Sequence, residues 1–435
     1  MKHLDRYGLS EIEHKVEPHE KGLIFAHPKK GRVADYYDEK FQIVGTYVDT
    51  LRQLFKGAMD LDFLTDLNDS IDVGEKTFNF LSHDWILGKS GRASGYQYRL
   101  QNNQLGVIIF CKMFHSKAET IGSHLKIECS LWFLDQRSAK QVDQFLAKIA
   151  KRILRCGEPH YPAIHLAVDV QGWKPDDDLS NKMLCKSRRV CNFNGIDKAE
   201  YHLAEVSCVY DRGQSFTFGS TGAVQLGIYN KTLEAKYRDK FDYMEHKWKE
   251  GTKLNDGTHG YNPKNDVFRF ELRFHHTVIQ QFALGTFSKD TGEIGVNMRT
   301  YSDIIKHLQA LWHYGLKSFK LRYNSNYLDP IWTILQEDVV FKYPESSYKE
   351  NLHYKRYYKK ATSFSGKNYQ LYLGNFLSAS ARKNVKFKNV LKALQNNYLW
   401  EDIAKYYEDK EITENQLVER LRESYHERIL MGYGV

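Results

Sequence analysis

Residues 216–234 read FTFGSTGAVQLGIYNKTLE, two short alternating runs joined by a glycine turn and closed by a tyrosine, a lysine and a glutamate. A strand sends alternate side chains to opposite faces, so Val224, Leu226 and Ile228 share one face and Ala223, Gln225, Gly227 and Tyr229 share the other. The first set is a core face. The second is small or polar up to Gly227, which leaves bare backbone beside Tyr229 and lets a bulky group approach closely. If the strand continues, Lys231 falls on the face of Tyr229, where its ammonium would favour the phenolate of a group whose ordinary pKa is about 10. Two readings follow from the stretch alone: an activated tyrosine nucleophile, or a strand-end tyrosine ahead of a solvated helix start.

Outward from this hairpin, two more strands carry polar groups on one face. In IHLAVDV (Ile164–Val170), His165, Ala167 and Asp169 oppose Ile164, Leu166 and Val168. In VFRFELRF (Val267–Phe274), Arg269, Glu271 and Arg273 oppose Phe268, Phe270, Leu272 and Phe274. A carboxylate between two arginines makes either a structural charge ladder or a seat for a phosphate and its metal. Before these, TFNFL, GYQYRL, QLGVIIF and HLKIECSLWF, between Lys76 and Phe133, read as strands of a mainly antiparallel sheet. Ser138 and Gln141 form a capping box ahead of Val142, Phe145, Leu146, Ile149 and Ile153, predicting a helix. The first 75 residues read as an N-terminal appendage, with an amphipathic helix over Tyr47–Phe55 from the spacing of Val48, Leu51 and Phe55.

Beyond Asn297 the pattern turns helical, as in YSDIIKHLQALWHYGL. From Tyr348 to Lys392 lysines and arginines interleave with tyrosines, against Glu350 as the single acid, which suits a nucleic-acid face. The remaining residues read as two or three short amphipathic helices, a helix-turn-helix or a packing unit. The expected fold is therefore α+β: a large, twisted, mainly antiparallel sheet with packed helices, followed by a helical C-terminal region. The expected divisions are 1–75, 76–295 and 296–435.

A chain of 435 residues exceeds one ordinary core, which predicts two or three domains. The net charge of +9 and the 29 tyrosines point to a polyanionic partner through phosphate contacts and base stacking. The cysteines form no C-x-x-C pair, and Cys185 and Cys191 lack a second pair for zinc. MKHLDRYGLS lacks the apolar stretch of a signal peptide, and the apolar run LGVIIF is far short of the roughly 20 residues of a membrane span, so a cytoplasmic, non-membrane protein is expected. LGKSG (Leu87–Gly91) is no phosphate loop, because the glycine needed five positions before Gly88 is His83.

Taken in order, IHLAVDV, FTFGSTGAVQLGIYNKTLEAK and VFRFELRF resemble the Rep_trans family of rolling-circle replication initiation proteins of plasmids and filamentous phages, with relatives among relaxases. HDWI at His83–Ile86, GYQYRL and HLKIECS resemble that family's first half, so the likeness runs from about Lys76 to Leu284. The resemblance implies a site-specific DNA nicking and joining enzyme in which Tyr229 is the nucleophile. Asp169, Glu234 and Glu271 would surround Mg²⁺ or Mn²⁺, and Lys231 would assist the tyrosine. His165 stands where family members often carry an acid, which would shift metal preference. Arg269, Arg273, Lys355, Arg356, Lys359 and Lys360 are the candidate DNA contacts. The implied partners are origin DNA, a host helicase and polymerase, and a second copy of the chain to supply a second tyrosine. A mobilisation relaxase with the same chemistry, or a regulator that binds DNA without cutting it, are the alternatives.

Overall fold

The structure, a computed structural model, describes residues 15–19, 22–27, 31–36, 41–91, 94–176, 178–185, 204–209, 212–322, 328–341, 343, 351–357, 366–409 and 412–431. Three strands, β1 (Lys15–His19), β2 (Gly22–His27) and β3 (Gly31–Tyr36), make a small antiparallel sheet. The main sheet uses β4 (Gln42–Met59), β5 (Thr77–Phe80), β6 (His83–Lys89), β7 (Tyr96–Asn102), β8 (Val107–Met113), β9 (Gly122–Ser130) and β10 (Leu154–Gln171). A short β11 (Met183–Cys185) pairs with Phe319–Leu321. The main sheet then gains β12 (Ala204–Val209), β13 (Arg212–Gly219), β14 (Val224–Asn230) and β15 (Val267–Phe274). Its eleven strands run β12-β13-β14-β15-β10-β4-β9-β8-β7-β6-β5, every neighbour antiparallel. The fold is α+β, as the strand and helix patterns predict.

Alternation decides which face each strand buries. Ile164, Leu166 and Val168 of β10, Leu226 and Ile228 of β14, and Phe270, Leu272 and Phe274 of β15 join one large core. Against it pack α1 (Leu61–Asp72), α2 (Leu131–Asp135) and α3 (Ala139–Ile153), the last started by the expected Ser138–Gln141 capping box. The next helices in the chain are α4 (Leu179–Lys182), α5 (Lys231–Tyr237), α6 (Phe241–Gly251) and α7 (His276–Gly285), and then α8 (Tyr301–Ile304), α9 (Leu308–Leu316) and α10 (Pro330–Glu337). On the opposite sheet face a smaller core gathers Val44, Tyr47, Ala167, Val267, Ala235 of α5 and Trp248 of α6. That face carries His165, Asp169, Arg269, Glu271 and Tyr229.

Three expectations are corrected here. The predicted helix over Tyr47–Phe55 is part of β4, whose middle position in the sheet makes it core rather than appendage. Its helical spacing has a physical origin. A bulge places Thr50 opposite His165 and Val48 opposite Leu166, so Asp49 is an extra residue between Val48 and Leu51. Polar Gln53 and Gly57 then interrupt the apolar face shared by Leu51, Phe55 and Met59. The strand expected over HLKIECSLWF ends at Ser130, where α2 begins. Finally, the chain divides between Tyr357 and Tyr358 rather than at residue 295, because the helices after Asn297 join the sheet's core through Ile304, Leu308, Leu311 and Trp332.

The second unit consists of α11 (Gly366–Arg382), α12 (Phe387–Gln395), α13 (Trp400–Glu408) and α14 (Glu414–Met431) around its own core. Some tyrosines of the basic tract serve packing: Tyr354 stacks on Phe282 at 5.6 Å, and Tyr369 is buried against Tyr406 at 5.5 Å. No helix among the described residues is long and apolar enough to cross a membrane.

Because Leu51 is fully buried in the middle strand, Leu51→Ala should cost about 2–5 kcal/mol. Urea unfolding would measure it; a loss below about 0.5 kcal/mol would mean that this segment is peripheral.

Candidate functional site

Antiparallel pairing of β10, β15 and β14 brings the site together. Ala167 stands opposite Glu271, which stands opposite Gly227 on its other side, while Asp169 and Tyr229 flank Arg269. Gly227 leaves room at this crossing. A Cβ there would lie 3.3 Å from the Arg273 guanidinium, so the bulky group that its bare backbone admits is the chain's own arginine. The cleft over this face holds about 450 Å³ and is lined by Asp49, His165, Tyr229, Lys231, Glu234, Glu271 and Arg273, among others.

Glu271 is the hub of this cleft. Its Oε1 lies 2.8 Å from His165 Nδ1 and accepts from Arg273 Nε at 2.9 Å. Its Oε2 accepts the Tyr229 hydroxyl at 3.0 Å and a second Arg273 nitrogen at 3.2 Å. Burial pushes the Glu271 carboxyl upward, but the hydrogen bonds and charges of His165 and Arg273 outweigh it and hold the group well below its ordinary value. Tyr229 moves the other way. Burial, then the Glu271 charge, lift its phenol well above the ordinary value against the opposing pull of Arg269.

Lys231 does not continue the strand as expected. The Asn230 side chain accepts from the Leu233 amide at 3.0 Å and starts α5 at Lys231. The Lys231 ammonium is engaged by Glu234 at 2.6 Å and stands 5.9 Å from the centre of the Tyr229 ring. Glu234 also pairs with Arg238 at 2.8 Å. Among the described residues, the side chains whose ligand atoms approach within 4.8 Å of one another as a possible metal group are Asp49, His165 and Glu271. Glu234 lies outside that group, and so does Asp169.

Asp169 has a structural assignment. It is fully buried and accepts from Arg269 Nε at 2.6 Å, from a second Arg269 nitrogen at 2.8 Å, and from Trp248 Nε1 at 2.8 Å. Arg269 is likewise fully buried, so it is no DNA contact. Its third nitrogen donates to Asp49, whose side chain is 22% exposed at the edge of the cleft. Asp49 is the functional candidate that the sequence reading missed, because its segment was taken for a helix. An aspartate in the strand paired with IHLAVDV was the available signal. The β4 bulge leaves this residue unopposed across the ladder, a common way to re-aim a side chain beside a site.

The remaining candidates divide. Arg273 lines the cleft. Lys355 and Arg356 do not; Arg356 donates to Gln281 of α7, and the Tyr357 amide bonds the Gln281 carbonyl at 2.7 Å. Lys359 and Lys360 lie outside the described residues.

No protein-family model matches the chain. It is 37% identical over 418 residues to the uncharacterized protein ORF430 of Pseudomonas phage Pf1, covering 95% of each chain. The two proteins belong to one family.

Asp169→Ala should destabilise the fold by about 3–5 kcal/mol, because it removes the doubly bonded counter-charge of a buried guanidinium and leaves it Asp49 alone; thermal or urea unfolding reads this directly. The folded-state pKa of Glu271 lies below its unfolded value of about 4.3. Its ionisation therefore contributes stability that is fully present above that value and lost as pH falls through the folded pKa. The difference in melting temperature between wild type and Glu271→Gln should accordingly shrink as pH is lowered from about 5 toward 3; a gap constant across that window would count against this assignment.

Proposed function

We propose that this chain, a member of the family of phage Pf1 protein ORF430, nicks and rejoins one strand of DNA to initiate rolling-circle replication. The observation that carries the reading is the Tyr229 hydroxyl bonded to Glu271 inside an open cleft, with Asp49 and His165 beside it and Arg273 on its rim. The motif order resembling Rep_trans initiators supports it, and the phage origin of the relative is compatible with it.

In this reaction the Tyr229 oxygen attacks a backbone phosphorus. The bond to the 3′ oxygen breaks, the strand's 5′ phosphate becomes a phosphotyrosine, and the freed 3′ oxygen takes a proton to become a hydroxyl. The phosphodiester energy is kept for rejoining. Glu271 orients the phenol by accepting its hydrogen bond, and over the whole step the phenol's proton is balanced by the one taken up by the freed 3′ oxygen. Arg273 and Lys231 line the cleft where charge develops on the phosphoryl oxygens.

Two carboxylates and one imidazole form a donor set suited to a divalent cation, and Asp49, His165 and Glu271 would hold it. Bound there, Mg²⁺ or Mn²⁺ would supply charge stabilisation at the phosphate.

An origin-bearing supercoil incubated with Mn²⁺ and run on a denaturing gel should give nicked circles and a covalent protein–DNA band. Tyr229→Phe should abolish both, and Asp49→Asn should raise the Mn²⁺ needed for half-maximal nicking on the order of tenfold to a hundredfold. Nicking that survives Tyr229→Phe would overturn the nucleophile. Binding without any nick would leave a non-cutting regulator.

A further inference from the structure

Three histidines gather where β15 passes into α7, apart from the group of Asp49, His165 and Glu271. The His275 and His276 rings lie 4.2 Å apart, centroid to centroid, and His160 of β10 is 6.2 Å from His276. His275 caps α7: its Nδ1 accepts from the Thr277 amide at 3.4 Å and lies 2.9 Å from the Thr277 hydroxyl. An amide can only donate, so this cap exists only while Nδ1 carries no proton. A proton on either ring also sets a positive charge against the positive pole of the helix.

The surroundings oppose a charge as well. Arg52 and Lys56 of β4 and Arg299 from the segment before α8 are the cations that act on the three rings. The buried Gln53 amide draws two of these elements together, donating to the His160 carbonyl at 2.6 Å and to the Arg299 carbonyl at 2.9 Å. Glu128 already pairs with Arg52 at 3.2 Å, Glu271 pairs with Arg273 at 2.9 Å, and Glu158 stands opposite Lys56 across the β10–β4 ladder. His276 Nδ1 is buried with no hydrogen-bond partner among the described residues, so a proton there finds no acceptor. Burial is the first cause that lowers each group. Lys56 and Arg299 add to it at His160 and Arg52 at His275, while His275, His160 and Lys56 help bring His276 down to about 4.

The start of α7 also holds the hairpin that carries Tyr229. The His275 amide donates to the Ala223 carbonyl at 3.0 Å, and the Thr277 hydroxyl reaches the Gly222 carbonyl at 3.5 Å. Val224, at the head of β14, is paired with Phe274. Thr221, Gln225, Phe274 and His275 line the Tyr229 cleft, so the position of this turn shapes one of its walls.

We propose that the start of α7 is an acid-sensitive clamp on the Tyr229 hairpin: with His160, His275 and His276 uncharged it fixes the turn at Gly222 and Ala223, and protonation of the trio releases the turn and with it that wall of the cleft. As control of nicking the inference rests on the nicking reading; as a device of the fold it does not. Histidines held below their unfolded value of about 6.5 contribute stability that is fully present above that pH and lost as pH falls through it toward the folded value, about 4 for His276.

The test is amide hydrogen exchange of the full-length protein, read by mass spectrometry at about pH 7.5 and about pH 5, with rates corrected for their intrinsic pH dependence and with α11–α14 as internal reference. Protection over residues 216–229 and the first turn of α7 should fall roughly tenfold or more at the lower pH while the reference changes little. His160→Gln/His276→Gln should remove most of that fall. Protection that does not respond to pH, or that falls equally in the double variant, would overturn the clamp; the wild-type profile alone decides the first point if the variant does not fold. Formation of the Tyr229 adduct on origin DNA with Mn²⁺ separates the clamp from the chemistry. A yield that drops further in wild type than in the double variant over the same pH interval supports control of the cleft. Equal drops in the two proteins would overturn that control and leave the nickase standing, and acid release of the hairpin with no adduct at either pH would leave the clamp without the nickase.

Discussion

Arg269 is a cation with no access to water, and the structure around it is arranged to make that tolerable. An isolated buried guanidinium is prohibitive; here two carboxylates from two other strands, Asp169 of β10 and Asp49 of β4, meet it, and the Tyr47 ring lies 5.5 Å from its centre. Burial alone would lower its pKa, but the Asp169, Tyr229 and Asp49 charges hold it well above the ordinary value. The consequence reaches beyond stability. Three adjacent strands, β15, β10 and β4, are tied at one point, and Asp49 is anchored at its inner end while its outer end borders the cleft. A pair that neutralises a core charge thus also sets the position of a carboxylate at the edge of the cleft.

The cleft works by opposition of burial and charge around Glu271. Burial alone would raise that carboxyl, and His165 with Arg273 reverse the direction. Tyr229, bonded to the resulting anion, is pushed further toward its neutral form. The phenol is therefore oriented but not activated in the structure as it stands.

Much of the sheet was legible because it obeys period two. Val224–Asn230, Ile164–Val170 and Val267–Phe274 each alternate a largely apolar core face with a face that carries the polar groups, and the Ser138–Gln141 capping box marks its helix by chemistry alone. The reading failed where that period breaks. The extra residue at Asp49 and the polar or absent side chains at Gln53 and Gly57 left Val48, Leu51, Phe55 and Met59 spaced as on a helix. The roles of Asp169 and Arg269 were also out of reach, since an acid and a base on exposed-looking strand faces gave no sign that Trp248 and α6 would bury them. Tyrosines among lysines were similarly ambiguous: Tyr354 and Tyr369 belong to packing.

By itself, then, the sequence determined the antiparallel α+β architecture, the polar face of its central strands, and the presence on that face of Tyr229, His165 and Glu271, because alternation is a local property of the backbone. Tertiary structure alone decided which acids stand together. Strand order and a single bulge bring Asp49 to His165 and Glu271 across more than a hundred residues, and the helix laid over the other end of the same face turns Asp169 from a candidate ligand into the counter-charge of a buried arginine. Pairing register and burial are set by contacts distant along the chain, so they have no local spelling.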